Sequence, residues 1–224
     1  MKLYSGPLSL FSRKVEIALR EKGIAFDRVM VSFTQERGYQ PKHPDVLAAN
    51  PKGQVPVLLD GDFALFDSSL IFEYLEDSHP EPPLWPKDPV ARAEARMMEL
   101  RADEVVFPHA RVFFYRTDPP HPDPSQRQAN EEAGARAEAA LRDHFAALDQ
   151  TLGRRDYLCD RLSYADIAMF MTILWTQRLK GPALQPFPRL AAWYARLGAR
   201  PAFAKAAAEI AAADRELTRV IGNC

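Results

Sequence analysis

A proline-rich stretch one third of the way along the chain separates two regions with different sequence patterns. Residues 79–89 read HPEPPLWPKDP and hold five prolines in eleven residues. Because proline interrupts helices and central strands, this density is typical of an interdomain linker, which we predict at residues 79–88. The region before it alternates between strand and helix patterns, whereas the region after it shows helix patterns only. We therefore predict an α/β domain at residues 1–78 and an all-helical domain at residues 89–224.

The first region is predicted to contain four short strands separated by helices. Strand patterns cover residues 2–5, 26–31, 55–59 and 63–66, and the last two flank Asp60-Gly61-Asp62, a strong hairpin signal. Helical spacing begins at Ser12 and stops at Gly23, and it begins again after Asp67. Residues 35–52 have weak periodicity and are predicted to hold a short helix with loops. The predicted order is β-α-β-(α)-β-β-α.

The second region is predicted to hold five helices, at about residues 89–115, 124–152, 163–180, 188–199 and 201–219. Proline at the first helical position supports the first of these starts. The segment Ser163-Tyr164-Ala165-Asp166 has capping-box spacing, in which Ser163 and Asp166 can each bond the backbone amide of the other. This box predicts a helix start and carries no functional information of its own.

The bulk composition excludes several classes of function. The formal net charge is −1, which argues against a nucleic-acid surface built on overall positive charge. The chain has no run of about eighteen apolar residues, and Arg13 and Lys14 interrupt its apolar N-terminal stretch, so we predict neither a membrane span nor a signal peptide. The two cysteines, Cys159 and Cys224, cannot build a disulfide framework. The chain is predicted to be cytoplasmic, without nucleic-acid or membrane partners and without a metal ion.

The order of the elements, with a proline-rich linker and then helices only, resembles the glutathione transferase superfamily over the whole chain. Three segments carry the resemblance: SLFSRKVEIAL at residues 9–19, NPKGQVPVL at 50–58, and DSSLI followed by YL within 67–75. The capping box at residues 163–166 matches the helical-domain box of that family. The resemblance implies a thioredoxin-like α/β domain plus an all-α domain, with glutathione as the co-substrate.

The resemblance implies that glutathione lies against the loop before the third strand. Val55 precedes a proline and is held extended, and the family carries a cis-proline at the position of Pro56. With that bond cis, the Val55 backbone can pair with the cysteinyl residue of glutathione as an added strand. From the residues alone, an ordinary trans loop proline is the alternative. Gln54 can bond the glycyl or γ-glutamyl end, and Lys52 or His43 can attract the glycyl carboxylate unless each is only a solvated loop residue.

The γ-glutamyl group of glutathione is expected at the start of the helix that follows the fourth strand. The backbone amides there and the hydroxyl of Ser68 suit its α-carboxylate. Asp67 can bind its ammonium group, or it can serve only as the N-cap of the helix. The family more commonly carries glutamate at this position, so the shorter arm of Asp67 is expected to loosen or shift the ammonium contact.

The reactive centre of glutathione is its thiol, which must ionise to act as a nucleophile. With a pKa near 8.5, a free thiol is only about 3% ionised at pH 7. A hydroxyl that donates a hydrogen bond to the thiolate lowers that pKa without losing its own proton. Ser9 occupies the serine-class position at the start of the first helix and is our first candidate. The other two are Ser12, as a donor one turn later or an N-cap, and Ser5, at the end of the first strand.

The second substrate is expected between the domains, against the first long helix of the second domain. An aromatic and basic cluster supplies the predicted pocket residues, Phe107, Arg111, Phe114 and Tyr115. A stripe that faces the core is the alternative, because aromatic residues at helical spacing more often pack inside a domain.

We predict a glutathione transferase that adds the thiolate to a small hydrophobic electrophile. No cysteine precedes Cys159, so a mixed disulfide between the chain and glutathione is not expected. Residues 50–77 also resemble bacterial glutathione-dependent β-etherases, which makes aryl ether cleavage an alternative. Residues 3–7 and 82–92 resemble the stringent starvation proteins, which bind RNA polymerase without catalysis but lack a serine at the position of Ser9. A homodimer is expected, because the family pairs two chains.

Overall fold

The structure is a computed structural model that describes residues 1–218, so Cys224 and the last predicted helical residue, 219, lie outside the described residues. The first domain contains β1 (Lys2–Ser5), α1 (Leu10–Glu21), β2 (Asp27–Met30), α2 (Pro44–Ala49), β3 (Val57–Asp60), β4 (Phe63–Phe66) and α3 (Ser68–Ser78). The second contains α4 (Pro89–Leu100), α5 (Phe107–Arg111), α6 (Pro124–Leu152), α7 (Tyr164–Arg178), α8 (Pro188–Gly198) and α9 (Pro201–Leu217). The predicted fold class, a thioredoxin-like α/β domain followed by an all-α domain, is confirmed.

The sheet brings three separate loops to one of its ends. The strand order is β2-β1-β3-β4, with β1 parallel to β2 and antiparallel to β3, and β3 and β4 form the predicted hairpin. Tyr4 near the end of β1 pairs with Val57 at the start of β3, and Val57 pairs with Phe66 at the end of β4. The loop after β1, the loop before β3 and the start of α3 therefore lie side by side.

A continuous hydrophobic core joins the two domains. Every residue of α7 from Tyr164 to Thr176 is buried, so this helix forms the centre of the second domain. α1 packs against both the sheet and α7, and Phe72 of α3 stacks on Tyr164 with 4.3 Å between ring centroids. This shared core fixes the position of the first domain against the second.

α1 also carries buried charges that pair across the domain interface. The fully buried Nζ of Lys14 lies 2.9 Å from Glu99 of α4 and 2.5 Å from Asp103. The buried guanidinium of Arg13 pairs with Glu16 at 2.9 Å and with Glu209 of α9 at 2.5 Å. Because removing one partner of such a pair leaves an uncompensated buried charge, these contacts resist separation of the domains.

The predicted capping box at the start of α7 is confirmed. The Ser163 amide donates to Asp166 Oδ2 at 3.0 Å, and the Ser163 hydroxyl donates to the same atom at 2.8 Å. Asp166 Oδ1 accepts two further bonds, from the Leu158 amide at 2.8 Å and from the Trp193 indole at 2.9 Å. Asp166 therefore joins the start of α7 to α8 as well as capping the helix.

Two predicted helix boundaries were wrong. α1 begins at Leu10 with Ser9 as its N-cap, so Ser12 lies within the first turn and is not the cap. The predicted helix 89–115 is interrupted, because π-helical turns at Arg101–Val106 separate α4 from α5 and a 3-10 segment follows at Val112–Thr117. Pro108 has no amide to donate to the carbonyl one turn earlier, which accounts for the change of hydrogen-bond register.

The third predicted strand also starts later than expected. β3 begins at Val57, whereas the sequence pattern placed its start at Val55. Pro56 cannot donate to a strand neighbour, so the ladder starts after it. Val55 is left in the loop, where its backbone is free of the sheet.

Candidate active site

A cavity of about 430 Å³ lies between the two domains, next to the sheet end at which the three loops meet. The first domain contributes Ser9, His43, Gln54 and Val55, together with residues that the sequence did not single out. The second domain contributes α5, the segment after it and α7, through Phe107, Arg111, Phe114 and Trp175. Three of the four predicted pocket residues therefore line the same space as the favoured serine.

A smaller cavity of about 180 Å³ adjoins the first and shares Phe11, Gln54 and Val55 with it. All six residues predicted to bind glutathione line this smaller cavity: Lys52, Gln54, Val55, Pro56, Asp67 and Ser68. The Val55–Pro56 peptide bond is cis, as the resemblance implied. The two cavities together form a continuous cleft that runs from the start of α3 past the start of α1.

Asp67 caps α3 and also faces the smaller cavity. Its Oδ1 accepts from the Ser69 amide at 3.0 Å and from the Leu70 amide at 3.4 Å, so the N-cap role is present. Its backbone φ of 76° lies in the left-handed region, which is unusual for a residue other than glycine and is found most often at functional sites. The other carboxylate oxygen, Oδ2, accepts no hydrogen bond from any described residue.

Ser9 is held by a chain of hydrogen bonds that leaves its own proton available. The Gly6 amide donates to Ser12 Oγ at 3.4 Å, and the Ser12 hydroxyl donates to Ser9 Oγ at 3.0 Å. The Ser12 amide also donates to Ser9 Oγ at 3.2 Å. A hydroxyl has two acceptor lone pairs and one proton, so Ser9 accepts twice and keeps its proton to donate. Ser9 lines the larger cavity, where that proton can reach a ligand.

The other two candidate serines lie outside the cavity walls. Ser12 is fully buried and acts on the site only through its bonds to Ser9. Ser5 is also fully buried, and its hydroxyl donates to Glu16 at 2.6 Å within the charge cluster of α1. Tyr4 donates to Asp45 and packs in the core. The structure therefore places Ser9 alone of the three serines at the cavity.

Tyr115, the fourth predicted pocket residue, lines a neighbouring cavity of about 380 Å³. Its hydroxyl donates to Glu131 of α6 at 3.2 Å. The neighbouring cavity shares Leu8, Tyr39, Phe114 and Trp175 with the larger one. The residue that faces the core instead is Phe113, which is fully buried, so the aromatic run supplies both core and cavity side chains.

Sequence reasoning missed several residues of the cleft. Trp175 lies in α7, far along the chain from the other cavity residues, and nothing in its local pattern distinguishes it from a core residue. Tyr39 lines the larger cavity and accepts from the Leu8 amide at 3.2 Å, and burial raises the pKa of its hydroxyl to about 12. Tyr39 lies in the segment 35–52, which was predicted as a short helix with loops, and its ring packs against Phe33 with centroids 4.9 Å apart.

Asp103 gives the smaller cavity an acidic wall that was also missed. Its Oδ2 pairs with Lys14, while its Oδ1 is buried and has no hydrogen-bond partner within residues 1–218. Burial raises the pKa of this carboxyl to about 6, against the opposing effect of Lys14. Asp67, Asp103 and Glu104 line the smaller cavity with Lys52 as the only cation among its described lining residues, so its net charge favours a cationic group.

Two further properties concern the part of the chain that the structure describes. No group of three or more His, Cys, Asp or Glu side chains within it is placed to hold a metal ion. None of its helices combines the length and apolar character that crossing a bilayer requires.

Known proteins resemble this chain in sequence and in fold. Models of the N-terminal and C-terminal domains of glutathione S-transferase match residues 3–83 and 104–201. The chain is 32% identical to a stringent starvation protein A homolog of Coxiella burnetii, over 78% of this chain and 75% of that protein. It is 31% identical to a maleylacetoacetate isomerase of Pseudomonas aeruginosa, over 92% and 95% of the two chains. A glutathione S-transferase of Methylobacterium radiotolerans, solved in complex with glutathione sulfonate, is similar in structure, with a TM-score of 0.74, 31% identity and coverage of 92% and 93%.

Proposed function

The chain belongs to the glutathione transferase superfamily, and we propose that it is a transferase that adds the thiolate of glutathione to a small hydrophobic electrophile. The observation that carries the proposal is Ser9, whose hydroxyl accepts two hydrogen bonds and keeps its proton for the cavity. A glutathione transferase needs such a donor at the thiol, whereas a protein that only shares the fold does not.

In the proposed complex, glutathione spans the two cavities. Its γ-glutamyl end lies in the smaller one, with the ammonium near Asp67 and Asp103 and the α-carboxylate at the start of α3 near Ser68. Gln54 and the backbone of Val55 bond the peptide groups, and Lys52 adds a positive charge near a carboxylate. The carboxylates of Asp67, Asp103 and Glu104 on the walls of the smaller cavity offset the positive charge of the ammonium.

The thiol then lies beside Ser9 at the start of α1, where two effects favour its ionised form. A hydrogen bond to a charged acceptor contributes about 1.5–3 kcal/mol. The N-terminus of a helix contributes about 0.3–1 kcal/mol towards a negative charge. Together they cover the roughly 2.7 kcal/mol that lowers a pKa by two units. Ser9 therefore activates the thiol without deprotonating.

The electrophile is proposed to bind in the remaining part of the larger cavity, against Phe107, Phe114 and Trp175. Aromatic walls suit a flat apolar substrate, and they fit cleavage of an aryl ether as well as conjugation. The two reactions differ in their products, since cleavage releases a phenol. The cytoplasm, where glutathione is abundant and thiols stay reduced, is the proposed location.

The test combines binding with turnover. We expect the protein to be retained on immobilised glutathione, to be eluted by free glutathione, and to accelerate conjugation of 1-chloro-2,4-dinitrobenzene. Retention with no turnover of this substrate or of an electrophile panel would favour a non-catalytic role. No retention, with the circular dichroism spectrum of a folded protein, would remove glutathione from the proposal altogether.

A regulator of the stringent starvation type is the second candidate. It is favoured by the identity with the Coxiella burnetii homolog, which extends over three quarters of both proteins. We would expect such a protein to bind RNA polymerase and to ignore glutathione. Co-purification of the chain with RNA polymerase, together with failure of the glutathione test, would replace the first proposal by this one.

A homodimer is proposed because one surface exposes large apolar side chains. On α4, the side chains of Val90, Met97 and Leu100 are more than half exposed, at 67%, 68% and 57%. Their spacing places them on one helical face. Leu70 of α3 is 55% exposed, and α3 is linked to α4 by the Glu73–Arg96 ion pair. Leu100 also lines the smaller cavity, so a partner covering this face would lie next to the glutathione site.

A further inference from the structure

The two cavities of the cleft have opposite charge. The smaller one is lined by three carboxylates, those of Asp67, Asp103 and Glu104. The larger one is lined by cationic or titratable bases, namely Lys42, His43 and Arg111, and no Asp or Glu of residues 1–218 belongs to its walls. The glycyl carboxylate of glutathione can account for Lys42 and His43, so the base that bears on the second substrate is Arg111.

Arg111 is the base that the second domain contributes to this cavity. It is exposed, and it forms no hydrogen bond or ion pair with any residue that the structure describes. The neighbouring arginines differ, since Arg116 donates to the Lys180 carbonyl at 2.6 Å and Arg178 pairs with Asp214 at 2.5 Å. Asp103 and Glu104 line a further cavity of about 480 Å³ together with Arg111, yet neither pairs with it. Its guanidinium thus remains available to a ligand.

Trp175 belongs to the same wall and is 4% exposed. Its indole N–H has no hydrogen-bond partner among the described residues, but that nitrogen is buried and has no surface open to the cavity. Arg111 is therefore the donor of this wall that a ligand can reach, and a guanidinium favours an anionic oxygen group.

Glutathione does not supply that group. In the proposed complex its γ-glutamyl carboxylate lies at the start of α3, and its glycyl carboxylate lies near the bases of the first domain, Lys52, Lys42 or His43. Arg111 stands on the opposite wall, beside Phe107 and Phe114. A guanidinium between aromatic side chains recognises a planar carboxylate through paired hydrogen bonds, while the rings contact an aromatic body.

We propose that the electrophile is an aromatic or similarly planar unsaturated carboxylate, with its anionic group bound by Arg111. This inference rests on the proposed function and specifies its substrate class. For an aryl chloride of this class, the thiolate sulfur attacks the ring carbon, the new C–S bond forms and the C–Cl bond breaks. Chloride leaves with the electron pair of that bond, and the thiol proton passes to solvent.

The experiment uses a matched pair of probes, 4-chloro-3-nitrobenzoate and its neutral methyl ester. Turnover of both by the wild type is compared with that of Arg111→Gln and Arg111→Lys. We expect Arg111→Gln to lower kcat/KM for the carboxylate about ten-fold, mainly through KM, and to lower kcat/KM for the ester by a clearly smaller factor. Arg111→Lys should recover part of the loss, because it restores the charge without the planar fork. Arg136→Gln, an exposed arginine of α6 away from the cleft, is the control.

Binding of the two preformed glutathione conjugates, measured by calorimetry, separates this inference from the proposed function. Tighter binding of the carboxylate conjugate, lost in Arg111→Gln, supports the inference whether or not the chain catalyses the reaction. Equal losses for both conjugates, or equal losses in kcat/KM for both probes, would overturn it while leaving glutathione transfer intact. Failure of both conjugates to bind would overturn both proposals.

Discussion

Replacing Ser9 by alanine tests the assignment at the centre of the site, and the structure gives the expected size of two separate effects. Ser9 caps α1 by accepting from the Ser12 amide at 3.2 Å, so its loss should destabilise the fold by about 1 kcal/mol. Loss of its donated bond to the thiolate should cost about 1.5–3 kcal/mol of ionisation. The pKa of bound glutathione should therefore rise by about one to two units. Turnover at pH 7 should fall about ten- to hundred-fold.

The assay measures the ionisation directly. The ultraviolet absorbance of the thiolate, titrated in the complex, should have its midpoint at higher pH in Ser9→Ala than in the wild type. Because the defect lies in ionisation, the lost turnover should return as pH rises through the new pKa. Glutathione affinity should stay within a few-fold, because the peptide contacts lie on Val55, Asp67 and Ser68. Ser9→Thr keeps both the cap and the hydroxyl and is the matched control.

Ser12→Ala tests whether Ser12 itself donates to the thiol or only orients the Ser9 hydroxyl. This variant removes one of the two bonds that orient the Ser9 hydroxyl, so a partial loss of turnover and a smaller pKa shift are expected. Full activity in Ser9→Ala together with loss of activity in Ser12→Ala would show that the wrong serine has been placed at the thiol. Full activity in both variants would leave the backbone and the start of α1 as the only means of activation.

Three further predictions address the fold, the acidic wall and the dimer surface. Asp166→Ala should lower the melting temperature more than Ser163→Ala, because loss of Asp166 also leaves the Leu158 amide and the Trp193 indole unpaired. Ser163→Ala should lower the free energy of unfolding by about 1 kcal/mol. Equal shifts in melting temperature for the two variants would contradict this. S-methylglutathione has no thiol to titrate, and its affinity should weaken as pH falls through about 6, because protonated Asp103 no longer attracts the ammonium. In Asp103→Asn, the affinity measured by calorimetry should depend less on pH. Met97→Glu should convert a dimer into the 25.3 kDa monomer in sedimentation, whereas Met30→Glu, on the edge strand β2, should not; a dimer that survives Met97→Glu would place the interface elsewhere.

The order of the elements could be predicted because its signals are local. Asp60-Gly61-Asp62 marks the hairpin whatever the rest of the chain does, and the box at Ser163 marks the start of α7. The break between α4 and α5 also has a local signal, Pro108. It was not predicted, because the surrounding apolar residues continue at helical spacing. The start of α1 was predicted at Ser12 and lies two residues earlier, at Leu10. Ser9 and Ser12 are both acceptable N-caps, and only the backbone geometry decides between them.

Only those site residues that belong to short sequence motifs could be predicted. Val55, Pro56, Asp67 and Ser68 sit in continuous segments, and the sheet brings those segments together at one end. Trp175 and Asp103 could not be found in this way, because each reaches the cleft through packing of the second domain against α1. Ser5 was a candidate because it lies beside a motif, but its hydroxyl donates to Glu16 and lies away from the cavity. The sequence around Ser5 does not indicate this orientation.

The contact between Lys14 and Asp103 links domain packing to the proposed glutathione site. Lys14 is fully buried on α1 and holds Oδ2 of Asp103, a residue that also lines the smaller cavity. A buried lysine with two carboxylate partners is a costly way to join two domains, and apolar residues of similar size would often serve as well. A second role for the Asp103 carboxylate, in ligand binding, would explain why this buried ion pair is present. Lys14 orients Asp103 and opposes the rise of its pKa that burial causes, so that Asp103 is ionised at neutral pH when a cationic group enters the cavity. The same contact then both joins the two domains and favours a negative charge at the proposed glutathione site.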